Sequence, residues 1–316
     1  MIFEITIPID HGNKSIKTAN YVFPASYVES RRLPSFGNDV LSYNGEEYTL
    51  VPQRMPQKTD KTKDNSYFIL TLFAIGMELA HAISRAKYTN PNIVVDVTLL
   101  VGLPPLHCKE MGIRFAHYFK EREECIRFEF NHQKFAIRIA DVHVFPQAYA
   151  AAITALETLG STRIVNIVDC GGYTVDVLQL VDLRPNMSVC NSLYGGVNKL
   201  FDKVNEQARA KGVSEIPDSV IEGLLLNDKQ TMEDCSPERI ALVRTNAEHF
   251  TNDMLARVSQ AGLDLAENKT VFVGGGSIML RDYIKNTGLV TKPVFVDNVH
   301  ANAQGYQLLY DNRRGI

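Results

Sequence analysis

The chain has 316 residues, 45% of them hydrophobic and 22% charged, with a formal net charge of −3. That length supports a sizeable core and about two domains, and the slightly acidic balance excludes the basic footprint of a direct nucleic-acid binder. The five cysteines (Cys108, Cys125, Cys170, Cys190, Cys235) lack metal-ligand spacing. Met1-Ile2-Phe3-Glu4 carries no basic leader, and no apolar run reads as membrane-spanning, so a reduced cytoplasm is expected.

Ile5 to Ile9 reads as an apolar strand ending on Asp10, with His11-Gly12-Asn13-Lys14 as a turn and a second strand from Ser15 to Phe23. Asn44-Gly45 marks a hairpin between strand-like flanks. Gln53 to Asn65, polar and lysine-bearing, predicts an exposed loop. Ser66 caps a helix with an apolar stripe through Phe68, Leu72, Phe73, Ile75, Leu79 and Ile83, read as core packing.

Asn92 to Val101 predicts a strand stopped by Gly102-Leu103-Pro104-Pro105. His107 to Arg122 predicts a helix, whose isolated His107 and His117 read as surface or packing residues. A hairpin turning at Asn131-His132 follows. Val142 to Gln147 then leads into an alanine-rich helix, Ala148 to Leu159. Gln147 has two readings at this junction: a solvated helix-start residue, or a side chain that orients a water.

Arg163 to Val168 reads as a buried strand ending on Asp169, and Thr174 to Val181 as its return strand. Between them Gly171-Gly172 allows a tight turn whose backbone N–H groups face an anion, with a hydroxyl from Thr174. Alone, this is equally a plain hairpin. Its repetition of the Asp10 segment favours a paired site.

Gly195-Gly196 precedes a helix through Val197, Leu200, Phe201, Val204 and Ala208, closed by Gly212. Asp218 and Glu222 lie in a short apolar segment and read either as ribose ligands or as solvated charges. Ser236-Pro237-Glu238 starts a long helix that Gly262 ends. Thr270 to Val273 is a strand running into Gly274-Gly275-Gly276-Ser277, with a helix to Asn286. Pro293 to Val296 is a last strand, and Asn302-Ala303-Gln304-Gly305 opens the final helix.

Three glycine-bearing turns in this order resemble the actin, sugar-kinase and chaperone ATPase superfamily, and the chain resembles its ParM-type plasmid-segregation actins along its whole length. Asp10-His11-Gly12 with Lys17, Pro146-Gln147, Asp169 to Asp176, Gly102-Leu103-Pro104, Gly274-Gly275-Gly276 and Asn302 to Gly305 carry the resemblance. It implies an α/β, ribonuclease-H-like fold of two related domains with a nucleotide cleft between them. Domain I would comprise 1–146 and 300–316, with a small subdomain near 24–90, and domain II 147–299.

The same resemblance implies roles. Asp10 and Asp169 would hold Mg²⁺ through water. His11, Gly12, Asn13, Lys17, Gly171, Gly172, Tyr173 and Thr174 would face the phosphates of ATP or GTP. Gly195, Gly196, Glu222, Gly274, Gly275, Gly276 and Ser277 would lie along the nucleoside, and Gln147 would position the attacking water. The implied activity is a filament-forming ATPase for plasmid segregation, working through a DNA-bound adaptor protein. A sugar-type kinase needs a general-base Asp with no candidate here, and a chaperone-like ATPase would be expected to carry a substrate-binding domain beyond Ile316.

Overall fold

The structure, a computed structural model, describes residues 3–29, 39–53, 58, 60–86, 94–155, 159–160 and 162–315. Its contacts fall into two compact units, Met1–Thr154 with Val299–Ile316, and Ala155–Asn298. Residues 147–154, placed in domain II from the sequence, therefore pack in the first unit.

The first unit contains β1 (Phe3–His11), β2 (Ser15–Lys17), β3 (Val22–Pro24), β4 (Tyr27–Glu29), β5 (Val40–Tyr43), β6 (Glu46–Leu50), α1 (Ser66–Ala86), β7 (Val94–Leu103), α2 (Pro105–Lys120), β8 (Ile126–Phe130), β9 (Gln133–Pro146) and α3 (Tyr149–Ile153). The strands form one sheet in the order β3-β2-β1-β7-β9-β8-β5-β6-β4. The strands of the anticipated small subdomain thus extend the main sheet; residues 30–38, 54–57, 59 and 87–90 of that stretch, and 91–93 at the start of the expected Asn92 strand, lie outside the described residues. β1 runs parallel to β7 and pairs antiparallel with β2 only at Asp10 and His11. Pro8, which has no N–H to give a ladder, sits where β2 has not yet joined.

The single strand expected from Ser15 to Phe23 is divided by a turn, in which Thr18 N–H donates to Tyr21 O at 2.9 Å. Asn44 (φ 52°) with Gly45 (φ 81°), and Asn131 (φ 47°) with His132 (φ 66°), make two-residue hairpin turns with positive φ at both central positions. The α1 helix is apolar on most faces because it is a core element: Tyr67, Phe68, Leu70, Leu72, Phe73, Ala74 and Ile75 are all buried. Each such large apolar side chain contributes about 1.5–3 kcal/mol. Contrary to the sequence expectation, its Ser66–Ser84 stretch is long and apolar enough to cross a membrane by composition, with mean hydropathy 1.5; here 78% of that stretch is buried within the fold.

The helix expected from Ala148 to Leu159 is shorter where it is described. α3 ends at Ile153, because Thr154 folds its N–H and hydroxyl back onto Ala151 O. Residues 156–158 of that expectation lie outside the described residues.

The second unit contains β10 (Ile164–Cys170), β11 (Thr174–Val181), β12 (Arg184–Tyr194), α4 (Val197–Ala210), α5 (Asp218–Leu225), α6 (Lys229–Asp234), α7 (Pro237–Gln260), β13 (Lys269–Val273), α8 (Gly275–Met279), α9 (Arg281–Asn286) and β14 (Pro293–Phe295). Its sheet order is β12-β11-β10-β13-β14. As in the first unit, the Asp-bearing strand pairs antiparallel with its hairpin partner and parallel with a later strand. The helix expected from Ser277 to Asn286 is broken at Leu280 (φ −95°, ψ 6°) into two short ones. β12 and α6 are elements that the sequence reading did not include. As an edge strand β12 is mostly exposed, so it lacks an alternating apolar pattern. Finally, α10 (Ala301–Arg314) packs on α3 in the first unit, where Tyr306 joins Leu100, Phe145 and Ala150.

Candidate functional site

In the first unit the hairpin at the end of β1 brings three side chains to Asp10, two of them from distant segments. Its Oδ1 accepts from Gln147 Nε2 at 2.7 Å. Its Oδ2 lies 3.4 Å from Lys17 Nζ and 3.5 Å from Asn302 Nδ2. Register explains Lys17, which is the cross-strand partner of Asp10. Burial works to raise the Asp10 carboxyl, but the charges of Lys17 and Lys61 and the Gln147 amide hold it below its ordinary value. Asp10 is therefore an anion in a buried setting. Gln147 directly follows β9, with its N–H on Leu103 O at 2.8 Å. With Nε2 committed to Asp10, Oε1 is the end to which a water can donate.

Gly12 follows in a tight turn, with its N–H on Asp10 O at 3.0 Å. A Cβ there would lie 2.6 Å from Ser15 O and 3.2 Å from Lys17 Nζ, so only glycine lets the loop close this far. Asn13 Oδ1 accepts from the Tyr67 hydroxyl at 2.7 Å, which pins the loop to α1.

His11 corrects the sequence expectation. Its ring is not in the loop mouth but fully buried, stacked on Phe119 at 5.3 Å between centroids, with Nε2 2.8 Å from Thr71 Oγ1. The Thr71 hydroxyl also reaches Tyr67 O at 2.7 Å, so it links the ring to the α1 backbone. Burial, aided by the Lys61 charge, pushes the imidazole down to about 3 and keeps it neutral. Lys61 corrects the exposed-loop reading of 53–65 as well: it is buried, and its ammonium donates to the His11 carbonyl. Lys61 was not singled out from the sequence, and Asn302 entered only within the Asn302–Gly305 segment, with no role at the site. Neither has a local signal, since each reaches the loop from a distant segment.

The second unit repeats the theme with backbone. Asp169 is almost buried and paired in register with Asp176 and Val273. The turn closes with Gly171 N–H on Thr174 O at 2.9 Å. The Thr174 hydroxyl is turned back toward Asp176 Oδ2 at 3.4 Å. Gly274 (φ 85°) lies against this strand end, where a Cβ would overlap Asp169 Oδ1 and come within 2.9 Å of Cys170 O. At Gly276 a Cβ would be 2.6 Å from both Cys170 O and Sγ, whereas at Gly275 nothing lies within 4 Å. The glycine-rich turn is thus packed on the Asp169 strand and open at its middle residue. Burial raises the Cys170 thiol to about 12, so it stays protonated.

Gly195 and Gly196 also differ from expectation. Both N–H groups donate to Tyr173 O at 2.9 Å, and those of Val197 and Asn198 to Gly171 O and Gly172 O. The N-terminus of α4 is spent on the 171–173 carbonyls, and Gly195-Gly196 brace the turn from behind. Arg257 of α7 holds this brace by donating to Tyr194 O and, at 3.2 Å, to Gly195 O. Ser277 is fully buried, and its hydroxyl makes no hydrogen bond to the described residues. Glu222 is half-buried on α5, which packs on α6 and α7.

The residues present suit a phosphate-bearing ligand with magnesium. Glycines stand where a Cβ has no room, a lysine sits beside a buried carboxylate, and the Gly274–Gly276 turn is open at its centre. Among the described residues no group of three or more His, Cys, Asp or Glu could cage a metal. Asp10 and Asp169 each sit near a strand end at a glycine-bearing turn, and a carboxylate placed there can meet magnesium through the waters that ion retains.

Residues 8–149 match the sequence-family model described as "Actin like proteins N terminal domain", and residues 167–286 match "Archaeal actin homologue MreB-like, C-terminal". No curated protein matches. The fold matches that of an archaeal actin homologue, Ta0583, with TM-score 0.74 and 18% identity over 98% of this chain and 99% of that one. A 15-stranded ParM filament from Clostridium botulinum matches with TM-score 0.72 and 17% identity, covering 98% and 100%. The filament of AlfA from B. subtilis plasmid pLS32 matches with TM-score 0.59 and 14% identity, covering 96% and 98%. Another structure of Ta0583 is a complex with ADP.

Proposed function

We propose, from the premise that this chain belongs to the actin-like superfamily, that it is a nucleoside triphosphatase that assembles into filaments with Mg-ATP or Mg-GTP. The observation that carries this reading is the Gln147–Asp10 contact at the end of β1. It fixes a neutral amide, able to orient a water, beside a buried carboxylate able to hold a hydrated cation.

Gly12 and Lys17 in one unit, and the 171–174 turn with Gly274–Gly276 in the other, are the groups equipped to bind phosphates and nucleoside. Magnesium would neutralise phosphate charge, and Asp10 and Asp169, each in its own unit, are carboxylates able to meet it through water. The chain's own contribution is positioning: the Gln147 amide directs water, and Lys17 supplies a fixed positive charge. Self-assembly is supported by the filament structures among the matches.

The further role we infer is plasmid DNA segregation in the cytoplasm, through a DNA-bound adaptor protein. A net charge of −3 gives no surplus of cations to displace counterions from DNA phosphates. The five cysteines are all free thiols, as a reducing compartment would leave them.

The test is sedimentation and phosphate release, followed together after adding Mg-ATP or Mg-GTP. Wild type should pellet and then disassemble as phosphate appears. Gln147→Ala should pellet equally but release phosphate about a hundredfold more slowly, so its filaments persist. A wild-type hydrolysis rate in Gln147→Ala would overturn the assignment.

A further inference from the structure

The turn after Gln147 is held in a conformation that L-residues rarely adopt. Ala148 has φ 58° and ψ −55°. Tyr149 N–H donates to the Gln147 carbonyl at 2.5 Å, which closes a three-residue turn centred on Ala148. These mark the positive-φ γ-turn, near φ about +75° and ψ about −65°, a rare and strained turn for a residue with a Cβ. Such strain persists only where the surroundings fix it, and it gathers where geometry serves function.

Ala148 is fully buried, so its N–H needs an acceptor. That acceptor is Asn302 Oδ1 at 3.0 Å, on a residue 154 positions away. The same side chain's Nδ2 lies 3.5 Å from Asp10 Oδ2, and the other oxygen of that carboxylate accepts from Gln147 Nε2. Asn302 thus touches the backbone just after Gln147 and the carboxylate its amide engages. The packing of α10 explains the reach. Gly305, three residues on and so on the same helical face, lies so close to Ala150 that a Cβ would overlap the Ala150 carbonyl. This contact lays α10 directly on the α3 backbone and delivers Asn302 to Ala148.

We propose that Asn302 is a positioning residue: by accepting from Ala148 N–H it locks the strained turn that aims the Gln147 amide at Asp10. The inference rests on the reading of Gln147 as the water-orienting residue. Without the Asn302 oxygen the buried N–H loses its acceptor, Ala148 relaxes toward ordinary negative φ, and the chain direction at Gln147 changes.

The experiment is a double-mutant cycle on phosphate release, with nucleotide Kd and circular dichroism measured in parallel. Asn302→Ala should slow release about tenfold or more while nucleotide Kd stays within about twofold. Added to Gln147→Ala it should slow release no further, because it acts through that side chain. Ala148→Gly combined with Asn302→Ala should return part of the lost rate, since glycine takes positive φ without strain. If Asn302→Ala alone does not fold, that combined variant is the readout: a rate well above that of Gln147→Ala supports the proposal, and a folded protein as slow as Gln147→Ala overturns it. A wild-type rate in Asn302→Ala, or equal slowing with and without Gln147, also overturns it and leaves the hydrolysis reading standing. A wild-type rate in Gln147→Ala removes the hydrolysis reading, and this proposal with it.

Discussion

Replacing Gly196 by alanine asks whether the position of the 171–174 turn sets the rate of nucleotide hydrolysis. A Cβ at Gly196 would lie 2.8 Å from both the carbonyl carbon and the oxygen of Gly172, and closer still to the Gly171 oxygen. Ordinary contact begins at 3.4 Å, so the approach to the Gly171 oxygen requires the two backbones to part by about 1 Å. All these atoms belong to the main chain, and no rotamer change can absorb the overlap. The hydrogen bonds from residues 195–198 to the 171–173 carbonyls would transmit the shift to the turn itself.

Overpacking of this kind costs about 1–3 kcal/mol of stability, which a chain of this size should survive. Misplacement of a binding loop by up to about 1 Å costs roughly ten- to a hundredfold in rate. Gly196→Ala should therefore show a native circular dichroism spectrum, a modestly lower melting temperature, and phosphate release slowed by that factor. Gly275→Ala is the packing control, because a Cβ there meets nothing within 4 Å and the protein should melt as wild type does. A folded Gly196→Ala protein that hydrolyses nucleotide at the wild-type rate would refute the reasoning, since the turn would then be free to move without consequence.

Asp169→Ala should weaken Mg-nucleotide binding strongly and leave the circular dichroism spectrum near native; unchanged affinity would remove Asp169 from the site. Asp64→Ala should lower stability by about 1 kcal/mol, because Asp64 Oδ1 accepts from both the N–H and the hydroxyl of Ser66 at the start of α1. Burial works to raise the Asp64 carboxyl, yet the bonds from Lys58 and Ser66 bring it down to about 2. Its folded value lies below the unfolded one, so this stabilisation is present above about pH 4 and is lost as pH falls through about 2; melting of both proteins across that range should show the difference vanish. The isolated protein should bind random duplex DNA weakly, and tight binding that falls steeply with salt would contradict the adaptor reading.

The strand ends at Asp10 and Asp169, the hairpins at Asn44-Gly45 and Asn131-His132, and the Ser236-Pro237 helix start were all legible in the sequence. Each depends on backbone preference within a few residues, and neighbouring residues alone express it. The direction of the His11 ring was not read, although alternation along a strand carries a hint. Successive side chains point to opposite faces, so a residue beside a loop-facing Asp10 points toward the core. The aromatic wall that receives it comes from α1 and α2, more than 50 residues away, and only the folded chain shows it.

The bracing role of Gly195-Gly196 was likewise hidden. A glycine pair before a helix looks the same in sequence whether its N–H groups face a ligand or a neighbouring carbonyl. The burial of Lys61 and the reach of Asn302 to Ala148 are long-range facts with no local signature, set by which elements pack together. Local chemistry thus chose the residue types of the loops. Tertiary packing decided which of their donors and acceptors are used up inside the protein, because a buried polar group must be satisfied by whatever group the fold brings to it.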